Sequence, residues 1–251
     1  MIQKVVIFIA LSLACVVGFS GTIDPNTPDS KHIEYGSKFV YIAKVHGTTP
    51  DTKPYFGSGI AHQSNVIITA AHIVQDVGTC RATINSKTIN VSKIIVHPNY
   101  KMDQFGYYDI AICILEDDIG LEWYPELYTN KNEVGKICSI AGYGATGNFL
   151  VGVNKLDDKL RAGSNTIDSI DRGLLVCSPS RTNRTELEYC IASGDSGGGL
   201  FIGNKLAGIN SCVIHDKGMI KSAYGTFSGH TRISDHVEWI TNTISTIKES
   251  K

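Results

Sequence analysis

The sequence predicts an all-β body, built as barrels or a sandwich and closed by one C-terminal helix. Two observations predict it. Short segments rich in β-branched and aromatic residues recur between Gly, Asn and Pro turns, at 39–43, 66–69, 88–91, 93–96, 109–115, 174–177 and 206–209. Near the end the period changes: Val237, Ile240, Ile244 and Ile247 fall at i, i+3, i+7 and i+10, one face of a helix. With 42% hydrophobic and 19% charged residues, the chain can bury a core and is not disordered.

The first twenty residues differ from the rest. Lys4 is their only charge, 5–17 is almost wholly apolar, and Gly18 and Ser20 are small residues at signal-peptidase spacing. An apolar run of about 13 residues is short for a membrane span, so 1–20 reads as a secretory signal peptide. A secreted or periplasmic protein follows, with no stable membrane insertion after processing. Leu13-Ala14-Cys15 also partly resembles a lipobox, which makes Cys15 a lipidation candidate. The net charge is −1, and there is no basic run to hold a phosphate backbone, so no nucleic-acid partner is expected.

Six of the seven cysteines lie beyond the leader: Cys80, Cys113, Cys138, Cys177, Cys190 and Cys212. An even number in an exported chain allows up to three disulfides and fifteen complete pairings. There is no CxxC and no His pair at zinc spacing, so neither a metal nor another cofactor is expected. Asn90 and Asn183 open glycosylation sequons. The polar stretch 178–188 reads as a surface loop. Asp235 and Glu238 have capping-box-like spacing at the start of the final helix.

One stretch carries chemistry: ASGDSGGGL, residues 192–200. A flexible linker would not run straight into Leu200, Phe201 and Ile202, which read as a buried strand. A glycine-dense turn before such a strand suits backbone amides that must approach a ligand. His72 follows an apolar strand and small Ala70 and Ala71, while Asp109 precedes another apolar run. Each alone reads as a structural histidine or a turn aspartate. With Ser196 they form a set: a serine hydroxyl needs a base within reach, and the base needs an acceptor that fixes its tautomer. The amides of Gly194 and Ser196 are then candidates for an oxyanion hole.

TAAH at 69–72, YDIAI at 108–112 and GDSGG at 194–198 resemble the three signatures of the chymotrypsin/trypsin-like serine proteases, in that family's order. Lesser marks agree: HPNY at 97–100, CSIAGYG at 138–144, GINS at 208–211 and HTRIS at 230–234. The likeness runs from about 32 to 247. It implies two six-stranded antiparallel Greek-key β-barrels, about 32–130 and 131–235, with the site between them and a helix over about 235–248. Residues 21–31 are then a short N-terminal segment or propeptide. It also implies a monomeric endopeptidase acting on polypeptides, with His72, Asp109 and Ser196 as triad and Ser211 supporting the aspartate. The substrate pocket would be formed by Cys190, Ser211, Val213 and Ser228, a neutral and narrowed set.

Departures accompany the likeness. Ile73 and Gly57 stand where the family usually has a bridged cysteine pair, and Ala192 replaces another cysteine. The family's disulfide map therefore does not transfer. Family zymogens are cut to release an amino group that pairs with the acid beside the nucleophile, here Asp195. Cleavage after Lys31 suits the distance to His72, and signal removal with another donor to Asp195 is the alternative. A non-catalytic homologue that binds a partner through the cleft is the competing function. An α/β-hydrolase esterase is excluded by motif and order.

Overall fold

The computed structural model describes residues 21–103, 106 and 108–249. The expected signal peptide at 1–20, with Cys15, lies outside the described residues. The chain opens with β1 (Thr22–Ile23) and α1 (Asp29–Gly36). The first barrel follows: β2 (Ile42–Thr48), β3 (Pro54–Gln63), β4 (Val66–Thr69), the one-turn α2 (Ala71–Val74), β5 (Thr79–Ile84), β6 (Lys87–Val96) and β7 (Ala111–Leu115). Its strands close in the order β2-β3-β4-β7-β6-β5, every pairing antiparallel. β4 and β7 are buried along their whole length, which is why both read as unbroken apolar runs rather than alternating ones. The two segments expected at 88–91 and 93–96 are one ten-residue strand, with the register shifting between Val91 and Lys93. A β-bulge keeps such a strand in its ladder while bending it around the barrel. Asn85 and Ser86, both with positive φ (46° and 66°), make the tight hairpin turn into that strand.

The second half contains β8 (Glu126–Leu127), β9 (Ile137–Gly142), β10 (Thr146–Asn148), β11 (Gly152–Lys155), β12 (Arg161–Thr166), β13 (Ser169–Asp171), β14 (Leu174–Cys177), β15 (Tyr189–Cys190), β16 (Gly199–Ile202), β17 (Lys205–Ile214) and β18 (Phe227–Arg232). The second half is the other barrel of the expected two-barrel fold, with more than the six strands that the family resemblance implies. Its main sheet runs β12-β9-β16-β17-β18-β14-β13, with β8 added in parallel to β17, and it is not closed by backbone hydrogen bonds. β9 and β14 instead meet through side chains, Cys138 Sγ lying 3.9 Å from Cys177 Sγ. A smaller sheet, β11-β10-β1-β15, flanks it. Loop 178–188 carries no strand, as its composition predicts.

Two expected strand starts also shift. Residues 39–41 precede β2 and send Phe39 and Tyr41 into the seam, where their rings lie 5.5 and 5.2 Å from Phe201 of β16. Asp109 and Ile110 precede β7 and leave the ladder.

The sequence did not announce α1. Its periodicity is weak, and it is held by one charge cluster. Arg161, fully buried, donates to Asp29 of α1 at 2.6 and 2.7 Å and to Asp157 at 2.8 Å. His32 is buried in the same helix with Nδ1 3.0 Å from the Ala162 carbonyl. At the other end, a 3₁₀ turn (Ile233–Asp235) leads to α2's later counterpart, α3 (Val237–Glu249), which buries Ile240 and Ile244 as the spacing predicts.

Removing one member of a buried ion cluster leaves the others unpaired, a loss of about 3 kcal/mol. Arg161→Ala should therefore lower the urea midpoint by a matching amount, and Arg161→Lys should recover only part, because lysine lacks the planar fork. An unchanged midpoint would show that this cluster does not dock α1.

Candidate active site

β4 ends at Thr69, and fully buried Ala70 and Ala71 let the chain turn into α2 without crowding. His72 emerges on that single turn with a third of its side chain exposed. Its backbone N–H donates to Asp109 Oδ1 at 2.9 Å, and its Nδ1 donates to Asp109 Oδ2 at 2.7 Å. Ser211 Oγ donates to the same Oδ2 at 2.6 Å, and Thr231 Oγ1 donates to the Asp109 carbonyl at 3.0 Å. With Nδ1 facing a carboxylate, the neutral ring carries its proton there and keeps a lone pair on Nε2. Burial alone would raise the Asp109 pKa, but the His72 charge and the hydrogen bonds from His72 and Ser211 hold it below the ordinary range. Burial likewise opposes a charged His72 ring, yet the Asp109 carboxylate outweighs it and raises the imidazole pKa above its usual value.

The GDSGG turn is clamped by the first barrel. Ser58 of β3 is fully buried, and its N–H donates to the Ser196 carbonyl at 2.7 Å. The Ser58 hydroxyl donates to the Gly194 carbonyl at 3.0 Å and accepts from Tyr143 N–H at 2.9 Å. Gly197 has φ +83°, and a Cβ there would lie 2.1 Å from the Ser58 carbonyl and 2.2 Å from Thr69 Oγ1. Only glycine fits that left-handed, close approach, which brings the turn against the strand end that carries His72. The hydrogen bonds at this junction run through the backbone of Ser196, whose residue is half-buried, rather than through its hydroxyl.

Peptide planarity orients two amides. The Ser193 carbonyl accepts from Ala145 N–H at 3.4 Å, so the Gly194 N–H on the same peptide points the opposite way. The Asp195 carbonyl accepts from Gly198 N–H at 2.8 Å, so the Ser196 N–H points away from Gly198. Neither donor direction was readable from composition alone.

Asp195 is fully buried. Its carboxylate accepts from Ala192 N–H at 3.0 Å, Gly144 N–H at 3.2 Å and the Tyr189 hydroxyl at 3.3 Å. Burial pushes its pKa up to about 7, and those donors offset only part of the shift. The Tyr189 hydroxyl in turn accepts from Gly21 N–H at 3.2 Å, because β1 pairs with β15 through Thr22 and Cys190. The acid beside Ser196 is thus one hydroxyl away from the first described residue.

Of the four pocket residues expected, three gather and one is committed elsewhere. Cys190 and Ser228 are fully buried, with Ser228 Oγ donating to Cys190 Sγ at 3.3 Å, and Val213 lies opposite Ser228 in the β17–β18 ladder. Burial pushes the Cys190 thiol up to about 11, so it carries no charge at neutral pH. Ser211 commits its hydroxyl to Asp109. A Cβ on Gly57 would meet the Ile73 side chain at 3.0 Å, so the paired cysteine positions are neighbours and an apolar contact stands there. Sequence reasoning missed Ser58, Tyr189 and Gly21, ordinary residue types whose roles depend on contacts distant in sequence.

The family profile described as Trypsin matches residues 32–240. The chain belongs to the trypsin family. Among solved structures, the serine protease neuropsin of mouse brain superposes with a TM-score of 0.66 at 20% identity, covering 82% of this chain and 95% of that one. HL collagenase superposes with a TM-score of 0.67 at 18% identity, covering 82% and 94%. At such identities the likeness shows the trypsin-like fold alone. By sequence, an uncharacterized peptidase of Corynebacterium glutamicum is 26% identical over 178 residues, 69% of this chain and 58% of that protein. Phenoloxidase-activating factor 3 of Holotrichia diomphalia is 27% identical over 173 residues, 61% of this chain and 46% of that protein. The chain thus spans about half the length of the curated relatives it matches.

The His72–Asp109 pair makes a direct test possible. In the folded protein the imidazole should titrate above about 6.5, its ordinary value. Asp109→Asn removes the carboxylate but not the burial, so the same resonance should then titrate below about 6.5. Histidine proton NMR against pH measures both, and an unmoved titration would break the electrostatic link.

Proposed function

We propose that the protein is an exported serine endopeptidase working through an acyl-enzyme. The single observation that carries this reading is the Asp109 junction, which fixes the His72 tautomer with Nε2 free while Ser58 clamps the Ser196 turn alongside. In this mechanism Ser196 Oγ attacks the scissile carbonyl carbon as His72 Nε2 takes its proton. The Gly194 and Ser196 amides receive the oxyanion. His72 then hands the proton to the leaving amine, and water repeats the cycle on the acyl-enzyme. Asp109 stays ionised and stabilises the imidazolium. No metal or organic cofactor takes part.

Ser196→Ala should lower kcat by at least about 10⁴-fold. The unmodified protein should react with a fluorophosphonate, and an unlabelled, folded chain would favour a non-catalytic binding role.

The pocket supports a neutral residue on the amino side of the cleaved bond. Its floor is the uncharged Cys190 thiol beside Ser228. A folded-back loop 178–188 would have to bring Glu186 or Glu188 to the pocket; Glu188 is buried and accepts from Ser180 and Thr185 N–H at 2.8 and 2.7 Å, and Glu186 is exposed. An ammonium or guanidinium buried without a carboxylate loses its hydration uncompensated. Peptide-library profiling should therefore show small or medium apolar residues preferred over Lys and Arg; a strong basic preference would refute the pocket assignment.

Activation follows from the same geometry. His32 lies buried in the middle of α1, whereas Gly21 reaches the Asp195 network. Processing between Ser20 and Gly21 would place an ammonium near a buried carboxylate that has no direct ion pair among the described residues, with no later zymogen cut. A Cβ at 21 would fall 2.0 Å from the Tyr189 ring, which fits a glycine terminus. The mature chain should begin at Gly21 by amino-terminal sequencing, and a chain that keeps residues ahead of Gly21 should be at least about 10-fold less active. Equal activity of the two forms would sink this route.

A further inference from the structure

The second barrel has a gap in its backbone closure, and two thiols sit across it. β9 and β14 are separated in the sheet by β16, β17 and β18, yet Cys138 Sγ and Cys177 Sγ lie 3.9 Å apart. Both residues are buried, at 1% and 0% exposure. Two cysteines in this relation need only about 2 Å of sulfur approach to bond, within reach of side-chain rotation. Cys190, a third buried thiol of this half, accepts from Ser228 Oγ at 3.3 Å and donates to the Ile191 carbonyl at 3.7 Å, while Cys138 gives up a 3.3 Å contact with the Asn165 carbonyl on bonding.

We infer that Cys138 and Cys177 form a disulfide that closes the second barrel covalently where its hydrogen-bonded ladder does not. The inference rests on the proposed export, because a reducing compartment would keep the pair as thiols. The chemistry is a two-electron oxidation: two S–H bonds break, one S–S bond forms, and two electrons and two protons reduce a disulfide donor to its dithiol. Because both sulfurs are shut off from solvent in the folded chain, exchange takes place before the barrel finishes packing. The closed loop spans a sequence separation of 39 residues, enough to restrict the unfolded chain substantially.

The position links this bridge to the site. β9 continues through Gly142 to Gly144, whose N–H holds Asp195. β14 pairs with β18, which carries Ser228 of the pocket and Thr231 of the Asp109 junction. A bridge between them braces both supports from behind, across the interior.

The test starts from the full processed chain, reduced and unfolded, then refolded in a glutathione redox buffer. Alkylation under denaturing conditions without reduction, followed by digestion and mass spectrometry, reads the pairing. The expected result is the Cys138 peptide joined to the Cys177 peptide, with Cys190 and Cys212 alkylated. Reduction should lower the melting midpoint by about 5–10 °C. Cys138→Ser, Cys177→Ser and the double variant should each lose that increment, the double no more than either single. Alkylated Cys138 and Cys177 in the refolded wild-type chain, or Cys177 recovered on any other cysteine, would overturn the inference. The mass readout uses no activity, so its failure leaves the protease reading standing, and lack of hydrolysis would not touch the bridge.

Discussion

A carboxylate buried at the seam between the two halves organises this molecule. Asp109 precedes β7 of the first barrel, and its partners come from both sides. His72 belongs to the first half, while Ser211 and Thr231 belong to β17 and β18 of the second. A buried carboxylate without donors would be costly enough to protonate or unfold its surroundings. Here each donor also fixes something else: the His72 ring, the register of β17 and the approach of β18. Charge compensation and assembly of the two halves are one requirement, so the seam cannot pack well unless the site is formed.

Asp195 obeys the same physics with the opposite outcome. Both aspartates are buried, and burial raises the pKa of each. At Asp109 a histidine and a hydroxyl more than compensate, and the pKa falls. At Asp195 the donors are two amides and a phenol, and the pKa rises to about 7. Above that pH the folded state carries an ionised group that the unfolded chain solvates better, so Asp195 costs stability as pH rises from the unfolded carboxyl pKa. A cation beside it reverses the sign. This difference makes Asp195 a receptor for charge and Asp109 a support.

What was readable in the sequence follows from how local each feature is. The all-β body, the final helix and the turn at 194–198 depend on short-range pattern: apolar runs, helical spacing, dense glycine. His72, Asp109 and Ser196 stood out because serine-protease chemistry needs three residue types together, and the His72–Asp109 hydrogen bond is the part of that set which the fold displays. α1 was not, because Asp29 and Arg161 are far apart in sequence and the helix has little apolar face of its own. The split of 88–96 into two strands failed because a bulge leaves no residue-type signature there. The strand number of the second sheet was unreadable for a related reason: repeated short strands say that a sheet forms, not how many join it or whether its last edge finds its first.

The segment before Asp109 shows how the C-terminal helix reaches the site without touching it. Tyr108 has φ +55°, a strained choice for an aromatic residue, and needs outside support. Its ring stacks on His97 at 4.8 Å, and His97 in turn lies 5.0 Å from His236 and 4.7 Å from Trp239 of α3. The apolar face that docks α3 thus also sets the rings that hold the turn entering Asp109. Burial lowers the pKa of both histidines, with His236 pushed down to about 4 and the nearby His97 adding to its shift. A folded-state pKa below the unfolded value means that the unfolded chain gains protons first as pH falls. The cluster therefore withdraws stability below about 6.5, the unfolded histidine value. His72 has the opposite sign, since its raised pKa adds stability on protonation. Acid thus strengthens the His72–Asp109 pair and weakens the scaffold that aims it, so the two titrations pull the seam in opposite directions.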